Sequence, residues 1–183
     1  GVGNEVYRVD SPSQDSVILR IHHGEHAGFI HEKWAMEQVS AKDVPVPTVL
    51  ALESTQCNER TVTYSIQTLI KGTPLSVLLD SGLSDTEIQH YADRAGEMLA
   101  RIHQVKTTGY GHFTTESGRG PSNILVDEMS QHKDYETLKS ATYDTTLSLL
   151  ELDTIIDKID TIKTDEKPHL LHVDYAPKHI FVK

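Results

Sequence analysis

The chain has 183 residues, 37% of them hydrophobic, and carries 27 Asp and Glu against 17 Lys and Arg for a formal charge of -10. That is one ordinary domain's length with enough apolar material for a core, which argues against a disordered chain, and the acidic balance argues against a nucleic-acid partner, whose counterion-release term needs a cationic face. Cys57 stands alone, no charged and apolar leader opens the chain, and no apolar run reaches the roughly 18 residues of a membrane helix, so a cytoplasmic protein with no membrane partner is expected.

The opening GVGNEVYRV begins in mid-pattern, as if an upstream strand preceded it, and places Gly1 and Gly3 at the open end of a hairpin. Val6 and Val9 mark its first strand, Val17, Ile18, Leu19 and Ile21 its second, and the polar run Asp10 to Asp15 supplies the turn. Residues 27–41 carry Phe29, Ile30, Trp34, Met36 and Val39 without Gly or Pro after Gly28, which predicts a helix ending before Val44-Pro45-Val46-Pro47. Residues 44–52 and 62–70 predict two further strands.

After Gly72 the hydrophobic period changes. Ser84-Asp85-Thr86-Glu87 is a capping box, in which the serine hydroxyl and the glutamate carboxylate satisfy orphan amide donors, and Ile88, Tyr91, Ala92, Ala95, Leu99 and Ile102 then form one apolar face through about His103. His103 itself is expected to pack or cap. Residues 134–163 predict more helix, with one interruption near 152–154. The fold class is therefore α+β, with strands before Gly72 and helices after it.

Near the end, Leu170 and Leu171 lead into a polar loop, His172-Val173-Asp174-Tyr175-Ala176-Pro177-Lys178-His179, and Ile180, Phe181 and Val182 lead out of it. A carboxylate in a loop held at both ends can orient a hydroxyl nucleophile and accept its proton, while a ligand five residues on reaches a metal at the phosphate side. His172 is expected to brace this loop through a bond to backbone.

The His-x-Asp-x-x-x-x-His spacing resembles the kinase catalytic loop, and the wording HxDYAPxH resembles the aminoglycoside phosphotransferase family, whose relatives include macrolide and choline kinases. The likeness runs collinearly through GVGNEVYRV, ILRI, HEKW, VPVPTVLAL, SIQTLIKGTPL and EMLARIHQVKTTGYG. It implies a protein-kinase-like two-lobe fold, with a β-rich nucleotide-binding lobe over residues 1–71 and a truncated, mainly helical lobe over 72–183 whose catalytic loop spans 172–179. It also implies ATP and Mg2+ as cofactors and a small-molecule hydroxyl as phosphoryl acceptor.

By the same resemblance Gly1, Gly3 and Asn4 approach the triphosphate, and Arg20 contacts the phosphates. Glu32 braces Arg20, with Glu37 as its rival for that place. Thr68 and Ile70 offer backbone groups to adenine, Asp174 is the catalytic residue, and His179 is a metal ligand. His179 replaces the usual Asn, a softer donor for magnesium. The second metal-binding Asp of the family is absent from these 183 residues, so the chain is read as ending at a fragment boundary just after the catalytic loop.

Two other readings stay open. One is a remnant or nucleotide-binding fragment with the chemistry lost; the other is a zinc-binding domain using His22, His23, His26 and His31, for which no cysteine or well-spaced carboxylate completes a tetrahedral set. PSNILVD, residues 121–127, imitates the second half of a catalytic loop, but Gly118 and Glu116 stand where the aspartate and histidine would be.

Overall fold

The computed structural model describes residues 4–24, 27–113, 116–123, 154 and 167–183. Strands β1 (Glu5–Val9) and β2 (Val17–His23) form the expected hairpin, with Val6 opposite Arg20 and Val9 opposite Val17. Strands β3 (Val49–Cys57) and β4 (Arg60–Thr68) form a second hairpin, and β4 pairs with β2. The result is a four-stranded antiparallel sheet in the order β1-β2-β4-β3. Helix α1 (Ala27–Ser40) fills the connection between the two hairpins.

One strand differs from expectation. Residues 44–52 predict a strand, yet β3 begins only at Val49, because Pro45 and Pro47 have no amide hydrogen to give a ladder. An irregularity between Val49 and Ala51 turns Leu50 outward. At the other end β3 runs on to Cys57, where Asn58 and Glu59, both with positive φ (48° and 62°), make a two-residue turn of the kind that matches strand twist.

After β4 comes a short strand, β5 (Thr73–Pro74), then helix α2 (Leu75–Asp80), which the sequence pattern did not announce. Helix α3 (Asp85–Ile102) starts where the capping box places it. The Ser84 N–H donates to Glu87 Oε2 at 2.9 Å, and the Glu87 N–H donates to Ser84 Oγ at 3.4 Å. Of its apolar face, Ile102 is buried and Ile88 is exposed, and His103 is the exposed residue that caps its C-terminus. The helix predicted over 134–163 lies outside the described residues.

The chain divides into two compact units, residues 1–105 with 170–183, and residues 106–169. In the first, Phe29, Val39, Val44, Leu75, Ile102, Val105 and Leu170 are buried, drawn from α1, the loop after it, α2, α3 and the C-terminal segment. In the second, Lys106 bridges His169, Thr108 bridges Arg119, and Tyr110 bridges Ser122. No described helix is long and apolar enough to cross a membrane.

The C-terminal segment is fastened by its last strand. β6 (Phe181–Val182) pairs antiparallel with β5, and the Leu75 N–H donates to the Ile180 carbonyl at 2.8 Å. Gly72 makes the approach possible. Its φ is +144°, and a Cβ there would lie 2.6 Å from the Val182 carbonyl oxygen.

Candidate functional site

Arg20 lies on β2 and Glu32 one turn into α1, twelve residues later. The structure brings them together: Nη1 donates to both carboxylate oxygens, at 2.6 and 2.5 Å, and the pair is half-buried. The guanidinium sits 4.9 Å from the centroid of the Phe29 ring, which is buried in α1, so a cation–π contact holds the side chain from the other side. Among the described residues Nε and Nη2 of Arg20 have no acceptor, which leaves donors in a fork suited to an incoming anion. Glu37, the rival, is taken by Lys33 one helical turn away.

Asn4 is held at the start of β1 by His22, whose Nδ1 lies 3.0 Å from Asn4 Oδ1. The neighbouring Glu5 meets His23 at 3.1 Å, and bonds from His23 and Tyr7 hold its carboxyl below the ordinary carboxylate range. Gly1 and Gly3 lie outside the described residues, as does His26. Of the histidines considered for zinc, His22 thus meets Asn4 and His23 meets Glu5 of β1, and the described residues contain no group of three ligating side chains.

The segment after β4 is open backbone. Thr68 donates its N–H to the Thr48 carbonyl at 3.0 Å, and the Thr48 N–H returns to the Thr68 hydroxyl at 2.9 Å, not to its carbonyl. Leu69 and Ile70 find no backbone partner among the described residues. A ladder that stops here leaves backbone donors and acceptors of the kind that backbone recognition of a flat base uses.

The loop 172–179 is braced from two sides. Tyr175 donates its hydroxyl to the Ala95 carbonyl of α3 at 2.8 Å, and burial raises the phenol's pKa. His172 meets the Tyr175 ring edge-on, 5.2 Å between centroids. Among the described residues His172 makes this ring contact and not the expected bond to backbone. A 3-10 turn over Pro177–His179 then folds the chain back, with the His179 N–H on the Ala176 carbonyl.

This turn brings Asp174 and His179 together. His179 Nδ1 lies 2.9 Å from the Asp174 carbonyl oxygen, and because a carbonyl only accepts, Nδ1 is the donor of this bond. The Asp174 carboxylate lies 3.5 Å from the same Nδ1 and 3.6 Å from Lys178 Nζ. Lys178, Tyr175 and Phe29 were not singled out by sequence spacing. The approach of Lys178 to Asp174 is legible only once Lys178 is known to sit in a 3-10 turn that folds the chain back.

β4 carries the other group that sequence reasoning passed over. Thr63, Ser65 and Gln67 alternate onto one face and are 4%, 2% and 5% exposed, so the most deeply buried face of this strand is polar. Ser65 stands directly opposite Arg20, which puts all three on the Arg20 side of the sheet.

A family model described as "Phosphotransferase enzyme family" matches residues 1–183, the whole chain. Among curated proteins none matches it.

Proposed function

Since the chain belongs to the phosphotransferase enzyme family, we propose that it moves the terminal phosphoryl group of ATP to a hydroxyl of a small molecule of the aminoglycoside, macrolide or choline kind. In this reading residues 1–71 and 72–183 are the two lobes of a protein-kinase-like fold, and the family identity limits the reaction class without naming the acceptor. The observation that carries it is the Arg20–Glu32 pair, formed at hydrogen-bond distance across twelve residues while Nε and Nη2 of the guanidinium have no acceptor among the described residues.

Each residue then has a physical task. Arg20, aligned by Glu32 and Phe29, neutralises phosphate oxygens, the stabilisation on which phosphoryl transfer chiefly depends. The backbone of Thr68 and Ile70 binds the base, and Asn4, with Gly1 and Gly3, covers the phosphates. Asp174 orients the acceptor hydroxyl and takes its proton as the oxygen bonds to the γ-phosphorus and the bond from that phosphorus to the β-γ bridging oxygen breaks, so that ADP leaves. Lys178, at 3.6 Å from that carboxylate, adds positive charge where the transferred group arrives.

The fit to magnesium is incomplete. His179 offers one imidazole nitrogen, and the described residues hold no group of three ligands, whereas the hard ion takes mainly oxygen donors in octahedral array. The second reading, a nucleotide-binding module without turnover, rests on that shortfall.

Transfer of label from γ-32P ATP to panels of aminoglycosides, macrolides and choline tests the proposal. At least one class is expected to be labelled, with the rate falling by roughly 10²- to 10⁴-fold in Asp174→Asn while ATP binding is kept. A folded chain that binds ATP and labels none of them would leave the binding-module reading in place.

A further inference from the structure

Residues 167–183 differ in charge from the rest of the chain. They carry Lys167, Lys178 and Lys183 against Asp174 alone, a surplus of positive charge in a chain whose total is -10. No second carboxylate shares the segment. Within it the contacts of Asp174 are one-sided. Lys178 Nζ lies 3.6 Å and His179 Nδ1 3.5 Å from the same carboxylate oxygen, Oδ2, and among the described residues Oδ1 has no partner. Val173, Asp174 and Lys178 are all exposed, so a bound molecule can reach both charges.

Lys178 is held on the Oδ2 side by the 3-10 turn over Pro177–His179, which the His179 N–H closes on the Ala176 carbonyl and the Ile180 N–H on the Pro177 carbonyl. A hydroxyl that approaches Asp174 therefore takes Oδ1, and whatever stands beside that hydroxyl faces Lys178. Adding one hydrogen bond and the width of a carboxylate to the 3.6 Å contact puts an ammonium two carbons from the hydroxyl on the order of 7 Å from Nζ. Like charges at that distance weaken binding about threefold in a waterlike medium and about fiftyfold at the intermediate permittivity of a protein surface. The acidic remainder of the chain does not cancel this, because its field is screened over about 8 Å at physiological salt.

We propose that Lys178 determines specificity at the acceptor site by selecting a hydroxyl with no ammonium group beside it, so that a neutral hydroxyl compound is phosphorylated in preference to its cationic counterpart. The inference rests on the phosphotransferase reading given above, in which the hydroxyl oxygen bonds to the γ-phosphorus, its proton passes to Asp174 and ADP leaves. The order applies within each kind of acceptor, whichever of them is labelled.

Matched acceptors with γ-32P ATP test this, with Mg·ATP binding followed by calorimetry alongside. The pairs are choline against 3,3-dimethylbutan-1-ol, its neutral carbon isostere, and kanamycin against its fully N-acetylated form. In whichever pair is labelled, the neutral member is expected to have a kcat/KM about tenfold higher. That ratio is expected to shrink to within about threefold in Lys178→Gln, and likewise for the wild-type chain in about 1 M sodium chloride, where the Debye length is about 3 Å. Lys178→Arg, which keeps the charge, is expected to keep the ratio. A residue that merely shaped the loop would lower both members alike and leave their ratio unchanged. The wild-type ratio and its salt dependence stand even if a variant does not fold. A cationic member labelled at least as fast as its neutral counterpart, or a ratio indifferent to Lys178→Gln, overturns the inference and leaves the phosphotransferase reading intact. No labelling of either pair by protein that binds Mg·ATP overturns it and leaves the binding-module reading, and no binding of Mg·ATP by folded protein overturns the nucleotide reading as well.

Discussion

Arg20 makes two kinds of contact at once, a charged one to Glu32 and a quadrupolar one to Phe29, and the pairing fixes a long side chain that would otherwise sample many rotamers. Removing the brace should therefore be felt by whatever Arg20 binds. Glu32→Ala is expected to raise the dissociation constant for Mg·ATP about tenfold, the scale of a lost charge-assisted bond, while Glu37→Ala leaves it unchanged because Glu37 serves Lys33. Titration of both variants separates the two glutamates. Sequence order was enough to single out Arg20 with Glu32 and Asp174 with His179, and the structure brings each pair into contact. It could not find Gln67. In Tyr64-Ser65-Ile66-Gln67 the alternation shows two faces but not which one packs inward, and only the cross-strand partner Arg20 of Ser65 decides it.

Elements were legible where local chemistry determines them and obscure where long-range contact does. The capping box of α3 could be read directly because all its atoms lie within four residues. Ser84→Ala is expected to lower stability by about 1 kcal/mol in chemical denaturation. The Ser84 bonds hold the Glu87 carboxyl below its ordinary value. A depressed carboxylate stabilises the fold above its unfolded pKa and loses that contribution as the pH falls through the folded one. Acidification below the ordinary carboxylate range should thus fray the start of α3, and a Glu87→Gln variant should not show that dependence in helical circular dichroism. α2 and the β5–β6 pair escaped the sequence reading because they depend on partners about a hundred residues apart, Thr73 with Val182 and Leu75 with Ile180. Gly72 carries that pairing. Gly72→Ala meets both a φ of +144° and the Val182 carbonyl, and is expected to cost at least about 1–2 kcal/mol in chemical denaturation and to loosen the Asp174 loop.

At the scale of the molecule, the sheet and α1 hold the Arg20–Glu32 pair, and the β5–β6 ladder ties the Asp174 loop to the segment leaving the sheet, all inside one compact unit. The charge of -10 acts on the whole. Self-repulsion of so acidic a chain is screened by salt, so the melting temperature is expected to rise between low and physiological ionic strength, as a thermal scan in sodium chloride would show. The central claim is that this unit binds a nucleoside triphosphate through Arg20 and acts on it through Asp174. Calorimetry of Mg·ATP with the wild-type chain, Arg20→Ala and Asp174→Asn tests it most directly. The account predicts binding that weakens at least about tenfold in Arg20→Ala and survives in Asp174→Asn. No binding by folded wild-type protein, or binding indifferent to Arg20, would contradict it.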